Sequence, residues 1–413
     1  MSKIDDLLKK YCPNGVEVGT LGELGEFYGG LTGKSKEDFK DGNAKFITYM
    51  NVYSNLKLNL KTDEKVKISD GEKQHTIEYG DILFTGSSET PDECGMSSVL
   101  CDITSEKLYL NSFSFGFRFF DKKLFEPEFT KYLFRSNDLR KQIIKTASGV
   151  TRFNVSKERM KKVVIPIPPI EVQKEIAHIL DSFTELTAEL TAELTARRKQ
   201  YEYYRDALLS FGKVSPPLTF GLNNEEVRWM TLGECCDMKA GKAISSLNIY
   251  TETTKEAPIP CYGGNGLRGY VSKSNQNGNF CLIGRQGALC GNVCYATGKF
   301  YATEHAVVVK NNTSLNSRFL FHLLTNMNLN QYKSQGAQPG LAVGKLEEIK
   351  IPVPSLALQE KIANVLDNFD AVCNDLNIGL PAEISLRKKQ YEYYRDRILS
   401  FNTNVNNSIH GGG

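Results

Sequence analysis

The chain contains two copies of one long sequence pattern. Residues 199–206 read Lys-Gln-Tyr-Glu-Tyr-Tyr-Arg-Asp, and residues 389–396 are identical to them. Two shorter motifs also recur, Ile-Pro-x-Pro (165–168 and 351–354) and Thr-Leu-Gly-Glu (20–23 and 231–234). The period of about 200 residues is far longer than the unit of a solenoid. The sequence therefore predicts two copies of a whole domain, each with an appended helix, and such internal pseudo-symmetry suits a target with two half-sites.

The predicted fold class is α+β. Strand-like runs punctuated by glycine predict two mixed α/β domains, and within the first of them residues 128–146 are predicted to form one helix. A length of 413 residues leaves each domain enough chain for its own core. The predicted boundaries are 1–155 and 228–350 for the mixed domains, 156–211 and 351–401 for two helical regions, 212–227 for a linker, and 402–413 for a disordered tail.

The first helical region has the clearest periodicity. From Glu171 to Phe211 apolar residues recur at helical spacing without glycine or proline. Such a helix would be roughly 60 Å long and could not bury its apolar stripe alone. We therefore expect the two helical regions to pack as an antiparallel coiled coil, with pseudo-two-fold symmetry, that separates the mixed domains. The second region is broken at Gly379, and Pro381 is well placed to begin a new helix.

Thr-Ala-Glu-Leu occurs twice in succession, at 187–190 and 191–194, in the middle of the first helical region. We interpret the tract as a length element, because four residues can be added without ending a helix. The alternative is a filler of residues with high helix propensity, and the two interpretations are compatible.

Charge is distributed unevenly, although the net charge is only +3. Residues 139–162 contain eight Lys or Arg and one Glu, a balance of +7, whereas residues 318–350 contain four positive and two negative residues, a balance of +2. A local basic patch is typical of phosphate binding. The alternative is a solvated helix face.

The ten cysteines favour a reducing cytoplasm over a disulfide framework. We expect no signal peptide at the N-terminus and no membrane span. Cys290 and Cys294, with Cys281 nearby, raise a zinc hypothesis, but the spacing fits no standard knuckle and the first copy has no matching cysteines. Buried reduced thiols are therefore predicted, and no metal site.

Catalytic motifs are not recognisable in the sequence. Residues 264–269 match the Gly-x-Gly-x-x-Gly dinucleotide fingerprint by letter, but neither a buried strand nor a helix flanks them, so a glycine-rich turn is predicted. The five histidines have no metal or triad spacing, and neither a methyltransferase nor a nuclease signature is found. The sequence predicts recognition rather than catalysis.

Two pairs of segments occupy matched places in the copies but differ in sequence. They are 148–154 with 335–341, and 86–89 with 284–287. Readers of two different half-sites would differ in this way, because Arg pairs with guanine and Gln or Asn with adenine. The alternative is surface loops that drifted after duplication. The candidate DNA contacts are Lys145, Arg152 and Lys157 in the first copy, and Arg285, Gln286 and Gln338 in the second.

Residues 199–206 and 389–396, by contrast, lie at matched places and are identical in sequence. Core packing alone would tolerate exchange among Tyr, Phe and Leu, so identity fits two identical partner subunits that dock on equivalent surfaces. Recent duplication would also preserve identity, but the mixed domains match each other poorly. The candidate partner-binding residues are Tyr201, Tyr204, Arg205, Tyr391, Tyr394 and Arg395.

These features together resemble the specificity subunit of type I restriction-modification enzymes, and the Thr-Ala-Glu-Leu units resemble the subfamily with a repeat-bearing spacer. The resemblance implies two target recognition domains that bind a bipartite site on double-stranded DNA. It also implies two modification subunits on the helices, and restriction subunits that join through them. S-adenosylmethionine, ATP and magnesium would belong to those partners and not to this chain. The alternative is a stand-alone or orphan protein that binds two DNA half-sites.

Overall fold

The computed structural model describes residues 3–211, 227–287, 289–334 and 340–402. The chain divides into two compact units, Met1–Glu189 with Ser385–Gly413, and Leu190–Ile384. Each unit combines one β-rich domain with one part of the long first helix and one helix of the second helical region. Most of the predicted linker, the tail beyond Asn402 and Gln338 lie outside the described residues.

The first unit contains thirteen described strands and most of the short helices. Its strands are β1 (Glu17–Thr20), β2 (Gly25–Gly29), β3 (Ala44–Ile47), β4 (Lys65–Val66), β5 (Thr76–Ile77), β6 (Ile82–Thr85), β7 (Ser87–Ser88), β8 (Ser97–Val99), β9 (Leu108–Leu110), β10 (Ser114–Phe119), β11 (Ala147–Ser148), β12 (Phe153–Val155) and β13 (Val164–Ile167). Its helices are α1 (Lys3–Tyr11), α2 (Leu21–Leu24), α3 (Tyr49–Ser54), α4 (Pro127–Leu133), α5 (Asn137–Ile144), α6 (Lys157–Met160) and the start of α7 (Ile170–Leu209).

The second unit has its own strands and helices. The strands are β14 (Arg228–Thr231), β15 (Cys236–Ala240), β16 (Ile259–Gly263), β17 (Gly266–Val271), β18 (Gln276–Asn277), β19 (Phe280–Gly284), β20 (Val293–Ala296), β21 (Lys299–Ala302), β22 (Ala306–Asn311) and β23 (Lys350–Val353). The helices are α8 (Leu232–Cys235), α9 (Ser317–Asn326), α10 (Val343–Glu347) and α11 (Leu356–Asn374), and α12 (Leu380–Ile398) completes the chain order.

The prediction of one helix at 128–146 is wrong. The structure has α4 and α5 instead, and Ser136 between them is extended (φ −67°, ψ 152°) and precedes the first residue of α5. Serine favours this position, because its short polar side chain competes for backbone hydrogen bonds inside a helix.

Both domains are built on the same antiparallel sheet. Its strand order is β2-β10-β6-β8 in the first domain and β15-β22-β19-β20 in the second. The registers agree, since Phe117 lies between Phe27 and Ile82 as Val309 lies between Met238 and Cys281. The domains therefore share a framework on which residues can be matched one by one, even where their sequences differ.

The repeated motifs close each domain where its helical region begins. In the first domain β1 pairs with β13, which places Thr20 opposite Val164, and in the second domain β14 pairs with β23, which places Thr231 opposite Lys350. Each threonine forms a capping box, with Glu23 or Glu234, at the start of a four-residue helix.

A buried glutamine fastens each domain to its helix. The Gln173 side chain accepts from Glu126 N–H at 2.8 Å and donates to the carbonyls of Pro168 (2.7 Å) and Leu124 (3.1 Å). Gln359 makes the same three bonds in the second unit, to Asn316 N–H and to the carbonyls of Pro354 and Ser314. The glutamine after each Ile-Pro-x-Pro motif is thus explained by three backbone groups that need a partner.

An aspartate eight residues after each glutamine makes a second attachment between the helix and its domain. Asp181 accepts from Lys131 Nζ (2.6 Å) and Tyr132 OH (2.7 Å) in the first unit. Asp367 accepts from Arg318 Nε (3.0 Å) and His322 Nε2 (2.6 Å) in the second. Both units therefore use an aspartate of the long helix as the acceptor. The donors on the domain differ, Lys and Tyr in the first unit and Arg and His in the second.

The long helices pack within each unit. In the second unit Arg198 Nη2 reaches the Cys373 carbonyl, while Tyr204, further along α7, stacks on Phe369, which lies further back along α11. The two helices are therefore antiparallel there. In the first unit Tyr394 of α12 stacks on Phe183 of α7, with ring centroids 5.6 Å apart. The predicted α+β fold class, with two β-rich domains and long packed helices, is confirmed. None of the described helices is long and apolar enough to span a membrane.

Candidate DNA interface and partner surface

The two variable segments of the first domain lie side by side. Strand β7 pairs with β12, so that Ser88 faces Phe153 and Ser87 faces Asn154. The Arg152 Nε donates to Ser87 Oγ at 3.1 Å, and the Cys94 thiol donates to the Phe153 carbonyl at 3.3 Å. Segments 86–89 and 148–154, each of which has a matched segment in the second copy, therefore form one continuous surface.

Helix α3 contributes two tyrosines to this surface. The Tyr49 hydroxyl donates to the Ser87 carbonyl at 2.8 Å and the Tyr53 hydroxyl to Glu93 Oε1 at 2.8 Å, and their rings stack 6.1 Å apart. Arg135 caps the end of this helix, since its Nη2 donates to the carbonyls of Val52 (3.1 Å) and Tyr53 (2.8 Å). Burial lowers the pKa of Arg135 to about 10. The sequence reasoning missed α3, because its six residues carry no periodic signal.

The basic stretch of the first domain divides into two kinds of residue. The Arg140 guanidinium is occupied by the carbonyls of Gly95, Cys94 and Asp92, at 2.6 to 2.8 Å. Lys145, at the end of α5, and Lys157, at the start of α6, are exposed. Lys157 Nζ lies 5.6 Å from the Phe115 ring centroid. Arg140 therefore has a structural role, whereas the two lysines can reach a phosphate.

In the second domain the described end of the second variable segment, Gly340 and Leu341, lies beside the first variable segment. Gln286 forms an isolated bridge with Gly340, and Leu341 N–H donates to the Arg285 carbonyl at 2.8 Å. The Gln286 Oε1 lies 2.5 Å from His305 Nδ1. Arg285 Nε and Glu304 Oε2 are buried and have no hydrogen-bond partner in the described part of this domain. Both atoms are enclosed by protein and cannot meet a base themselves, whereas the exposed Gln286 side chain can reach the polar edge of a base.

An open cavity of about 520 Å³ lies beside Gln286 and His305, and the hairpin of β16 and β17 forms its other wall. The Gly-x-Gly-x-x-Gly residues form the turn and most of the second strand of this hairpin. No helix follows them, as predicted, but strand β16 leads directly into them, which the sequence did not predict. Gly284 packs so close to the hairpin that a Cβ there would meet the Gly264 carbonyl oxygen at 1.9 Å. Gly264 and Gly284 therefore serve a close approach of two backbones.

The first domain does have a cysteine that matches Cys290, namely Cys94, and the prediction of no matching cysteine is wrong at this position. Cys94 N–H donates to the Pro91 carbonyl as Cys290 N–H does to Gly287, and a glycine with positive φ follows each cysteine. Both cysteines are buried at the base of a variable segment. Burial raises the pKa of the nearby Cys294 thiol to about 11, so that thiol stays protonated at neutral pH. Across the described ranges, no three potential metal-binding side chains come together.

The identical blocks place their aromatic residues on two faces. Tyr201 and Tyr204 pack against Phe369, and Tyr391 packs against Tyr132. Arg205 and Arg395 each bond the next residue, an aspartate, and lie over the ring of Tyr201 or Tyr391. Tyr203 and Tyr393 face solvent, with 57% and 59% of their surface exposed. Sequence reasoning missed these two, because helical spacing alone did not separate the packed face from the open one.

The chain was compared with known proteins. A family model described as the type I restriction modification DNA specificity domain matches residues 13–197 and 224–386. The EcoprrI specificity subunit of Escherichia coli is 50% identical over 234 residues, 54% of this chain and 56% of that protein. The EcoR124I/EcoR124II specificity subunit of Escherichia coli is 33% identical over 277 residues, 60% of this chain and 65% of that protein. The alignments thus span between half and two thirds of these relatives.

A solved S subunit of a type I restriction-modification system from M. genitalium has the same fold. Its TM-score is 0.56 at 19% identity, and the alignment covers 94% of this chain and 96% of that one. The chain belongs to the type I restriction-modification DNA specificity family. By this membership it is a DNA specificity subunit, which in its family is non-catalytic.

Proposed function

We propose that this chain binds a bipartite DNA site, with one half-site for each recognition domain, and positions partner subunits on it. The recognition domains are residues 1–155 and 228–350. One observation carries the proposal: in each domain backbone pairing joins two variable segments that are distant in sequence, Ser87 and Ser88 with residues 153–154 in the first domain and Gln286 with Gly340 in the second. A shared backbone with different side chains is what two readers of different DNA sequences need.

Base reading is assigned to Arg152 in the first domain and to Arg285, Gln286 and Gln338 in the second. Lys145 and Lys157 are assigned to phosphates, because they are exposed and not bound to backbone carbonyls as Arg140 is. Phosphate contacts fix the register on the duplex, and base contacts supply its sequence preference.

The partners are two modification subunits, and restriction subunits join through them. Tyr201, Tyr204, Arg205, Tyr391, Tyr394 and Arg395 remain the proposed partner-binding residues. Their packing within each unit supports a role in shaping the surface, and the exposed Tyr203 and Tyr393 extend that surface outward. S-adenosylmethionine, ATP and magnesium would be bound by the partners, and the complex would work in the cytoplasm. The modification subunits would flip the target adenine out of the duplex to methylate it.

The Thr-Ala-Glu-Leu tract would place this chain in the subfamily whose spacer carries such repeats. The tract lies within α7, its leucines are half-buried, and its second alanine and glutamate are exposed. A unit of this kind can be added without burying a polar group, which supports a role in setting the gap between half-sites.

The proposal is tested by methylome sequencing of the host with and without this chain. The expected result is a bipartite adenine methylation motif that disappears with the chain. A motif that persists would overturn the proposal. Co-purification separates the alternative, a stand-alone two-site DNA-binding protein, because that protein would bind DNA without a methyltransferase.

A further inference from the structure

In each domain a turn of the same kind leads into a matched strand of the four-stranded sheet, β10 in the first domain and β22 in the second. In the first domain Asn111 Oδ1 accepts from Phe113 N–H at 2.9 Å, and the Asn111 carbonyl accepts from Ser114 N–H at 3.3 Å. The turn leads directly into strand β10. An Asx turn of this kind fixes the direction in which its third residue projects.

Thr303 forms the equivalent turn in the second domain. Its Oγ1 accepts from His305 N–H at 3.4 Å, and its carbonyl accepts from Ala306 N–H at 3.0 Å, at the start of strand β22. Asn111 and Thr303 are both buried, so each turn is anchored in its domain. Phe113 and His305 therefore occupy the same structural position.

A third hydrogen bond ties both turns to the variable segments. Gly86 N–H donates to the Phe113 carbonyl at 2.8 Å, and Arg285 N–H donates to the His305 carbonyl at 2.9 Å. The next residue in each case, Ser87 or Gln286, pairs with the second variable segment. Each turn thus adds a third segment to the surface already described.

The two exposed side chains at this shared position differ in polarity. Phe113 is apolar and 61% exposed. His305 is polar, its side chain is 41% exposed, and it holds Gln286 Oε1 at 2.5 Å. What distinguishes Phe113 from other exposed apolar residues is its place beside the variable segments, and a shared backbone position that carries different exposed side chains suits recognition of two different sequences.

We propose that Phe113 and His305 are equivalent specificity-determining residues, each for the half-site of its own domain. This inference rests on the proposed function. The chemistry differs between the two. The Phe113 ring suits the C5-methyl group of thymine. His305 acts through Gln286: it holds the amide oxygen and leaves the amide NH2 outward, as a donor for an acceptor on a purine edge.

The test is the methylation motif of the whole complex in the host, with full-length variants of this chain. Phe113→Ala is expected to relax one position of one half-site about tenfold and leave the other half-site unchanged, and His305→Ala is expected to do the reverse. Phe113→Leu, which keeps an apolar side chain, should retain most of the preference. Phe120→Ala and Leu247→Ala are the controls, since both residues are exposed and lie outside the turns.

A binding measurement adds the chemical identity of the contact. Wild-type complex should bind about tenfold more weakly when deoxyuridine replaces one thymine of the half-site, and the Phe113→Ala complex should not distinguish the two DNAs. For the other half-site, a 7-deazapurine removes the N7 acceptor and should weaken wild-type binding but not that of His305→Ala.

The outcomes separate the inference from the proposed function. If both alanine variants keep the wild-type motif, or if methylation falls evenly at every site without a change of motif, the specificity assignment is wrong and the residues are only structural. If the wild-type chain supports no bipartite motif, the proposed function fails and the inference fails with it.

Discussion

Replacing Gln359 by leucine should destabilise the second unit by an amount that its contacts define. The variant leaves three backbone groups without a partner, the Asn316 N–H and the carbonyls of Pro354 and Ser314. The bond to Pro354 is buried, and losing it should cost about 2 kcal/mol; the other two are partly buried and should cost about 1 kcal/mol each. The expected loss is therefore about 4 kcal/mol.

The assay uses the single tryptophan of the chain, Trp229. It lies on β14 opposite Pro352 of β23, so its fluorescence reports on the second unit. With a urea m-value of about 2 kcal/mol/M, the midpoint of the Trp229 transition should fall by about 2 M. Gln173→Leu is the matched control, because it removes the same three bonds from the first unit.

Gln173→Leu should leave the urea midpoint of the Trp229 transition unchanged. It should speed hydrogen exchange at the Glu126 amide, which then lacks its acceptor. The reasoning would be refuted if Gln359→Leu moved the Trp229 midpoint by less than about 0.5 M, because three unpaired groups cannot cost so little. It would also be refuted if both variants moved that midpoint equally.

Four further predictions concern acid, DNA, partners and spacing. Burial lowers the pKa of His322 despite the opposing effect of Asp367. The second unit should therefore have stability above about pH 6.5 that is lost as the pH falls from 7 to 5. His322→Tyr, which introduces the residue that the first unit has at Tyr132, should remove this loss from the Trp229 transition. Arg285→Ala should cost about 1–3 kcal/mol of DNA binding and relax one position, whereas Lys145→Ala and Lys157→Ala should weaken binding evenly and flatten its salt dependence. Tyr203→Ala with Tyr393→Ala should weaken co-purification of modification subunits while the thermal midpoint of the free chain stays unchanged. One Thr-Ala-Glu-Leu unit inserted after Leu194 lengthens α7 by about 6 Å and should widen the half-site gap by one or two base pairs, of which we favour one.

Each has an outcome that contradicts it. For acid, the result against it is a Trp229 transition that is equally stable at pH 5 and pH 7. For DNA, it is normal affinity, salt slope and motif in all three variants. For partners, full recovery of the complex at dilute concentration would exclude the tyrosine surface. For spacing, an unchanged gap would exclude the ruler, and altered half-sites would mean that the tract itself reads bases.

Local features of the fold could be predicted from the sequence. The extent of α7 and the break at Gly379 follow from periodicity and from glycine and proline, which act within one or two turns of the chain. The sequence also located the variable segments at matched positions. It could not indicate that each pair would join, because the pairing of β7 with β12 depends on residues more than sixty positions apart.

The sequence also could not identify equivalent positions of the two domains where their side chains differ. Residues 111–115 and 303–307 share no identical residue, and the hydrogen bonds of the two turns identify Phe113 and His305 as one position. Cys94 and Cys290 were missed for the same reason. Backbone hydrogen bonds set the framework regardless of side chain, so a framework can persist after its sequence has diverged.

The sequence by itself determined that the chain has two similar halves, where its long helices run, and that it carries recognition chemistry instead of a catalytic motif. The tertiary structure alone decided which tyrosines of the identical block are packed and which are exposed, and which side chains surround each variable surface. The physical reason is range. Helical periodicity is written in neighbouring residues, whereas burial and strand register are set by contacts between residues far apart in the chain.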